Sequence, residues 1–122
     1  MAAIDDVARD FTAMLRLGQF EAAGETFWSP DVISVEPAAL SDDNPATVSG
    51  IAAVRAKHST RFGTARIDDL GIDGPFVTGN QFALFLDMLI TDPASGEAKP
   101  FAEIAIFTVR DGRIIEERFF YD

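Results

Sequence analysis

Two residues stand out as able to move a proton: His58, the only histidine in the chain, and Glu36, a glutamate set directly before Pro37. Imidazole takes up and releases protons near neutral pH. His58 falls eight residues after Gly50, on the same helical face as Ile51, Val54 and Phe62. On such a face it is either an acid or base lining a pocket or a satisfied core histidine. A carboxylate drawn into an apolar pocket is pushed upward and can act as a general base. Glu36 closes the apolar run Val32-Ile33-Ser34-Val35, so it is either that base or a partly exposed acid at a strand end. Glu103 and Glu117 are two further acids embedded in apolar runs. The chain has no cysteine, which excludes thiol catalysis and disulfides. One histidine and no metal-ligand spacing give no metal site. Phosphate-binding glycine loops, dinucleotide fingerprints and Ser-His-Asp orders are absent as well.

The elements that must position these residues change period along the chain. Ile4, Val7, Ala8, Phe11, Met14 and Leu15 recur at helical spacing, with Gly18 as the C-cap. Phe20, Ala23 and Phe27 mark a second short helix stopped by Ser29-Pro30. Residues 32–37 read as a strand and 38–49 as a loop. Ser49-Gly50 opens a third helix. Four strands follow, about 64–72, 76–91, 99–110 and 113–121, with a turn at Pro93 to Gly96 and a hairpin at Asp111-Gly112. The order ααβαββββ predicts one α+β domain over residues 1–122, with three helices packed on one face of an antiparallel sheet.

Ten basic against twenty acidic residues give a net charge of −10, which repels nucleic acid and anionic membranes. No apolar run approaches the ~20 residues of a membrane span. The start of the sequence does not read as a secretory leader, and the expected location is cytoplasmic. The strands are apolar on both sides. Phe82, Leu84, Leu86, Met88 and Ile90 share one face, as do Ala105, Phe107 and Val109. Phe85, Leu89, Ile104 and Ile106 take the other. Three helices cover one face only, so a second subunit is expected on the other.

The order of elements, the stretch "LGQFEAAGETFWSPDVISVEP", the helix opened by Gly50 and the closing "VRDGRIIEERFFYD" resemble the nuclear-transport-factor-2-like superfamily. Within it the chain is similar to the SnoaL-like polyketide cyclases and the ketosteroid-isomerase-like proteins. The resemblance covers essentially the whole chain. It implies a curved sheet wrapped into a cone, with the helices closing an apolar pocket on the concave side. It also implies an internal closing strand, with Ile115, Glu117, Phe119 and Tyr121 facing the pocket and Ile114, Glu116, Arg118, Phe120 and Asp122 facing out.

The resemblance places Glu36 at the isomerases' proton-shuttling carboxylate, and His58 and Trp28 at tyrosines of their pocket network. Trp28 is otherwise a packing residue that ends the second helix. Phe11 and Ala105 stand where the isomerases hold the enolate oxygen, and neither donates a hydrogen bond. Steroid isomerisation is therefore not expected. Phe107 and Phe119 are further pocket residues, and Tyr121 is its only phenol. Glu103 and Glu117 either form an acid/base pair there or sit near the open rim, solvated or paired with arginines, although no arginine is expected to face inward. Glu36 and His58 are expected within hydrogen-bond reach of each other.

Two functions follow. One is proton transfer of isomerase, cyclase or hydratase type on an apolar carbonyl-bearing molecule, with Glu36 and His58 catalytic and no cofactor. The other is a non-catalytic ligand-binding or dimeric interaction module of the same fold.

Overall fold

A computed structural model describes residues 3–61 and 63–122. Phe62, expected on the apolar face of the third helix, lies outside the described residues, as do Met1 and Ala2. The first helix, α1 (Ile4–Arg16), buries Val7, Ala8, Phe11, Thr12 and Leu15 along one stripe. Asp5 and Asp6 sit in its first turn and Arg16 in its last, complementing the helix dipole. Gly18 then takes φ 77°, the left-handed turn that ends a helix cheaply only at glycine. The second helix is α2 (Phe20–Phe27).

Six strands follow: β1 (Trp28–Val35), β2 (Thr47–Ser49), β3 (Arg66–Thr78), β4 (Gln81–Thr91), β5 (Ala98–Arg110) and β6 (Arg113–Phe120). The third helix, α3 (Ile51–Arg61), lies between β2 and β3. The sheet order is β2-β1-β6-β5-β4-β3. Three helices pack on this open, six-stranded sheet, the α+β arrangement expected.

Four details differ from the sequence reading. The sheet is mixed, because β1 runs parallel to β6 while every other pair is antiparallel. The 38–49 loop ends in the short strand β2, paired to β1 through Ile33–Ser49 and Val35–Thr47. The break expected at 73–75 is no break: β3 continues to Thr78, and the hairpin turns at Gly79-Asn80. Gly71, Gly74 and Pro75 instead mark bulges between Asp68 and Gly71 and between Asp73 and Phe76. An edge strand tolerates a residue without an N–H and bends at such positions. Finally, β6 carries a bulge where Thr108 pairs Glu116 but Val109 pairs Ile114. The extra residue is Ile115, and inserting it inverts the facing of what precedes it. Ile114, expected on the outer face, is fully buried in the core.

From Glu116 onward the expected alternation holds. Glu117 and Phe119 are buried, and Phe120 is half exposed on the other side. Because β6 lies between β1 and β5, the C-terminal strand is the middle of the sheet. Its inner aromatics join a ring cluster with Phe107 stacked on Phe82 at 4.8 Å and Phe11 edge-on to Phe107 at 4.9 Å.

Candidate functional site

The concave face of the sheet and the three helices enclose a cavity of about 210 Å³. Its apolar wall comes from Phe11 and Leu15 of α1, Leu86 and Met88 of β4, and Ala105 and Phe107 of β5. Gly24 of α2 packs directly on the Trp28 indole and leaves no room there for a Cβ. The polar wall is narrow: His58, Arg61, Glu103 and Glu117 with Trp28 beside them, and Glu21, Arg55 and Ser59 on α2 and α3.

The polar wall is built by one helix over three strands. On α3, Val54, Lys57, His58 and Arg61 stand at positions i, i+3, i+4 and i+7 and so share one face. Opposite them, Ser34 of β1 is in register with Glu117 of β6. Glu117 is 2% exposed and fully committed. Its Oε1 accepts from the Trp28 indole N–H at 2.9 Å and its Oε2 from the Ser34 hydroxyl at 2.6 Å. The same Oε2 meets His58 Nε2. Burial pushes this carboxyl up, but the charge and hydrogen bond of His58, with the bonds from Ser34 and Trp28, outweigh it and hold Glu117 below the ordinary glutamate value. An ionised Glu117 can only accept. His58 Nε2 is therefore its donor, and a neutral imidazole then carries its lone pair on Nδ1. The ring stacks on Trp28 at 5.4 Å and stands edge-on to Phe119 at 5.9 Å. With 30% of its side chain accessible, His58 is the part of this network that can be reached.

One step further along the same elements lies a second cluster. Glu36 is buried and accepts from Lys57 Nζ at 2.9 Å and from the Tyr121 hydroxyl at 2.7 Å, with Arg61 Nε 3.0 Å from its Oε1. Lys57 also donates to Ser34, which links the two clusters. Arg61 forms a forked ion pair with Glu103 and lies over the Phe119 ring at 4.3 Å. Burial again pushes Glu36 up, but Arg61, Tyr121 and Lys57 together keep it below the ordinary value. Burial dominates at Glu103, where Arg61 opposes it only in part, and its carboxyl is held above the ordinary value. Burial and the bond to Glu36 push the Tyr121 phenol up to about 12.

The residues expected at the pocket divide into two sets. Phe11, Trp28, His58, Glu103, Ala105, Phe107, Glu117 and Phe119 line the cavity. Glu36 and Tyr121 do not; they lie behind Arg61, and Tyr121 lines a second, more open cavity. The expected Glu36–His58 contact is replaced by His58–Glu117, since a buried carboxylate between Lys57 and Arg61 already has stronger partners than an imidazole. Contrary to expectation, an arginine does face inward: Arg61, with 6% of its side chain exposed. Ser34, Lys57 and Arg61 were missed because cations and small polar residues read as solvent-facing. The signal was present, since Lys57 and Arg61 stand three and seven residues after Val54, on its own helical face. Among the described residues, no group of three or more His, Asp or Glu is placed to hold a metal ion.

Residues 2–121 match the model of the SnoaL-like domain. The chain belongs to the SnoaL-like family. This SnoaL-like protein is 32% identical to a proposed SnoaL-like polyketide cyclase from Mesorhizobium loti, over 98% of this chain and 100% of that one, with a TM-score of 0.87. A proposed SnoaL-like polyketide cyclase from Jannaschia shares the fold at 17% identity, TM-score 0.77, over 100% and 90% of the two chains. TerC, crystallised with polyporic acid, shares it at 20% identity, TM-score 0.73, over 98% and 91%. No curated protein matches the sequence. The fold is that of a small-molecule-binding family, and among the described residues no helix is long and apolar enough to cross a membrane.

Proposed function

We propose that this SnoaL-like protein is a cofactor-independent proton-transfer enzyme acting on an apolar carbonyl-bearing molecule, of isomerase, cyclase or hydratase type. The observation that carries the reading is a reachable His58 whose Nε2 is fixed by a buried, ionised Glu117 at the wall of an otherwise apolar cavity. His58 Nδ1 takes a proton from the carbon next to the carbonyl, and the electron pair moves onto the carbonyl oxygen. Arg61, which lines the same cavity wall, supplies the positive charge that stabilises that oxygen, and Glu103 holds the guanidinium there. His58 then returns its proton to carbon. Glu117 is a positioning residue, and Glu36 holds Lys57 and Arg61 in place.

A second reading, a non-catalytic binding module, is favoured by Phe11 and Ala105, which line the cavity without any hydrogen-bond donor. Either way the reading includes a homodimer through the outer face of the sheet. Phe85, Ile104 and Phe120 are in register across β4, β5 and β6 there and are exposed.

The deciding experiment is deuterium uptake from D2O at the α-carbon of acetophenone, followed by NMR. The wild type is expected to accelerate uptake over buffer, and His58→Asn to lose about 100-fold or more of that rate. Acetophenone binding, read by the fluorescence of Trp28, is expected to survive that substitution. Acetophenone that binds the wild type without faster exchange would leave the binding module as the function.

A further inference from the structure

The two cavities are successive stretches of one groove along the concave face of the sheet. Each of three neighbouring strands contributes to both. On β4, Met88 lines the first cavity and Ile90, two residues on, the second. On β5, Glu103 lines the first and Phe101 the second. On β6, Phe119 lines the first and Tyr121, just past the strand, the second. Residues two apart on a strand share a face, so the sheet itself continues without a wall between the two. Met88 pairs with Phe101 and Ala105 with Phe119, so the boundary steps by two residues from strand to strand and crosses the sheet on a diagonal. Among the described residues, Arg61 alone lines both cavities.

Arg61 is held in that position by two carboxylates and three rings. Glu103 grips one edge of the guanidinium and Glu36 faces another. Its Cζ lies 4.3 Å from the Phe119 ring centre, 5.3 Å from that of Tyr121 and 5.8 Å from that of Phe101. A planar cation stacked on rings and forked to a carboxylate has little freedom to swing away.

We infer that Arg61 is a fixed crossbar that sets the length of the ligand: it divides a continuous groove into an inner cavity of about 210 Å³ and an outer one of about 500 Å³. Ligands of the inner cavity end at the guanidinium. A dry cavity of about 150 Å³ takes benzene, so the inner cavity holds on the order of eight or nine heavy atoms. Arg61 is thus a specificity-determining residue for the apolar carbonyl compounds assigned to this pocket. The inference rests on that reading only for the class of ligand; it concerns binding and not proton transfer.

The test is a ladder of methyl alkyl ketones from butanone to undecanone, titrated by fluorescence of Trp28, the chain's single tryptophan. For the wild type, affinity is expected to rise about fourfold per methylene, the ordinary value of apolar burial, and to level or fall beyond about octanone. In an Arg61→Leu, Glu103→Gln double variant the rise is expected to continue to undecanone. The second substitution keeps Glu103 from being left as a buried charge without its cation, while Glu36 retains Lys57 and Tyr121. A wild-type ladder that climbs unbroken to undecanone overturns the crossbar whatever the variant does. So does a break at the same length in both proteins. No binding of any ketone overturns the crossbar together with the apolar-ligand reading. A clear break in binding without deuterium exchange leaves the crossbar standing and removes only the catalytic reading.

Discussion

Three cations or potential cations and three carboxyls meet at the concave wall: Lys57, His58 and Arg61 from α3, and Glu36 just past β1, Glu103 of β5 and Glu117 of β6. Their charges balance when His58 is protonated and leave one excess negative charge when it is not. At Glu103 burial outweighs the opposing charge and bonds of Arg61, and that carboxyl is held above the ordinary value. Glu36 and Glu117 have folded values below the ordinary 4.5, so the stability they contribute is present above that pH and is lost as pH falls through their lowered values. Glu103 has the opposite sign, and its contribution declines as pH rises from 4.5 through its raised value. Glu103 acts above pH 4.5 and Glu36 and Glu117 below it, so urea midpoints are expected to fall as pH drops below about 4.5. Glu117→Gln is expected to be less stable than the wild type at pH 7 and to show a flatter acid limb. An acid limb as steep as the wild type's would remove Glu117 from this account. Lys57→Met leaves Glu36 short of one buried cation and is expected to cost about 3 kcal/mol in urea unfolding. A loss below about 0.5 kcal/mol would mean that Lys57 behaves as an exposed residue.

Two elements depend on features that end-of-chain and turn-residue rules obscure. The closing strand β6 is hydrogen-bonded on both sides, to β1 and β5, and its buried Phe119 touches His58, Phe107 and Arg61. Removing residues 118–122 strips a central strand of Phe119 and takes Tyr121 from Glu36. A buried aromatic truncated to alanine costs about 3–5 kcal/mol, against total stabilities of about 5–15 kcal/mol. The deletion is expected to give insoluble protein or protein without a cooperative transition by circular dichroism. A soluble, cooperatively unfolding product would contradict the central place of β6. In α2, Gly24 is needed for close approach, because any Cβ would overlap the Trp28 ring. Gly24→Ala is expected to cost about 1–3 kcal/mol in thermal or urea unfolding despite its better helix propensity. A stabilised variant would show that the indole can shift without loss.

On the outer face, Phe85, Ile104 and Phe120 form a row across three strands, flanked by half-buried Leu89 and Ile106. A patch of this kind on a sheet otherwise bare on that side is expected to be covered by a second copy. Sedimentation at micromolar concentration is expected to give twice the 13.2 kDa of the chain, and Ile104→Glu to halve it. A wild-type mass near 13.2 kDa would remove the dimer. The sequence by itself determined the helix faces, the inner and outer sides of β4 and β5, and the α+β order, because periodicity is a local property that burial enforces residue by residue. Eight of the ten expected site residues line the cavity for the same reason: those on strands alternate, and alternation can be read. The tertiary structure alone decided that β1 lies parallel to β6, that a bulge at Ile115 turns Ile114 inward, and that Gly74-Pro75 bends a strand without ending it. It alone decided that His58 pairs with Glu117 and that Lys57 and Arg61 point inward. A cation is buried only where carboxylates distant in sequence converge on it, and that convergence is a property of the folded sheet, not of the helix that carries the charge.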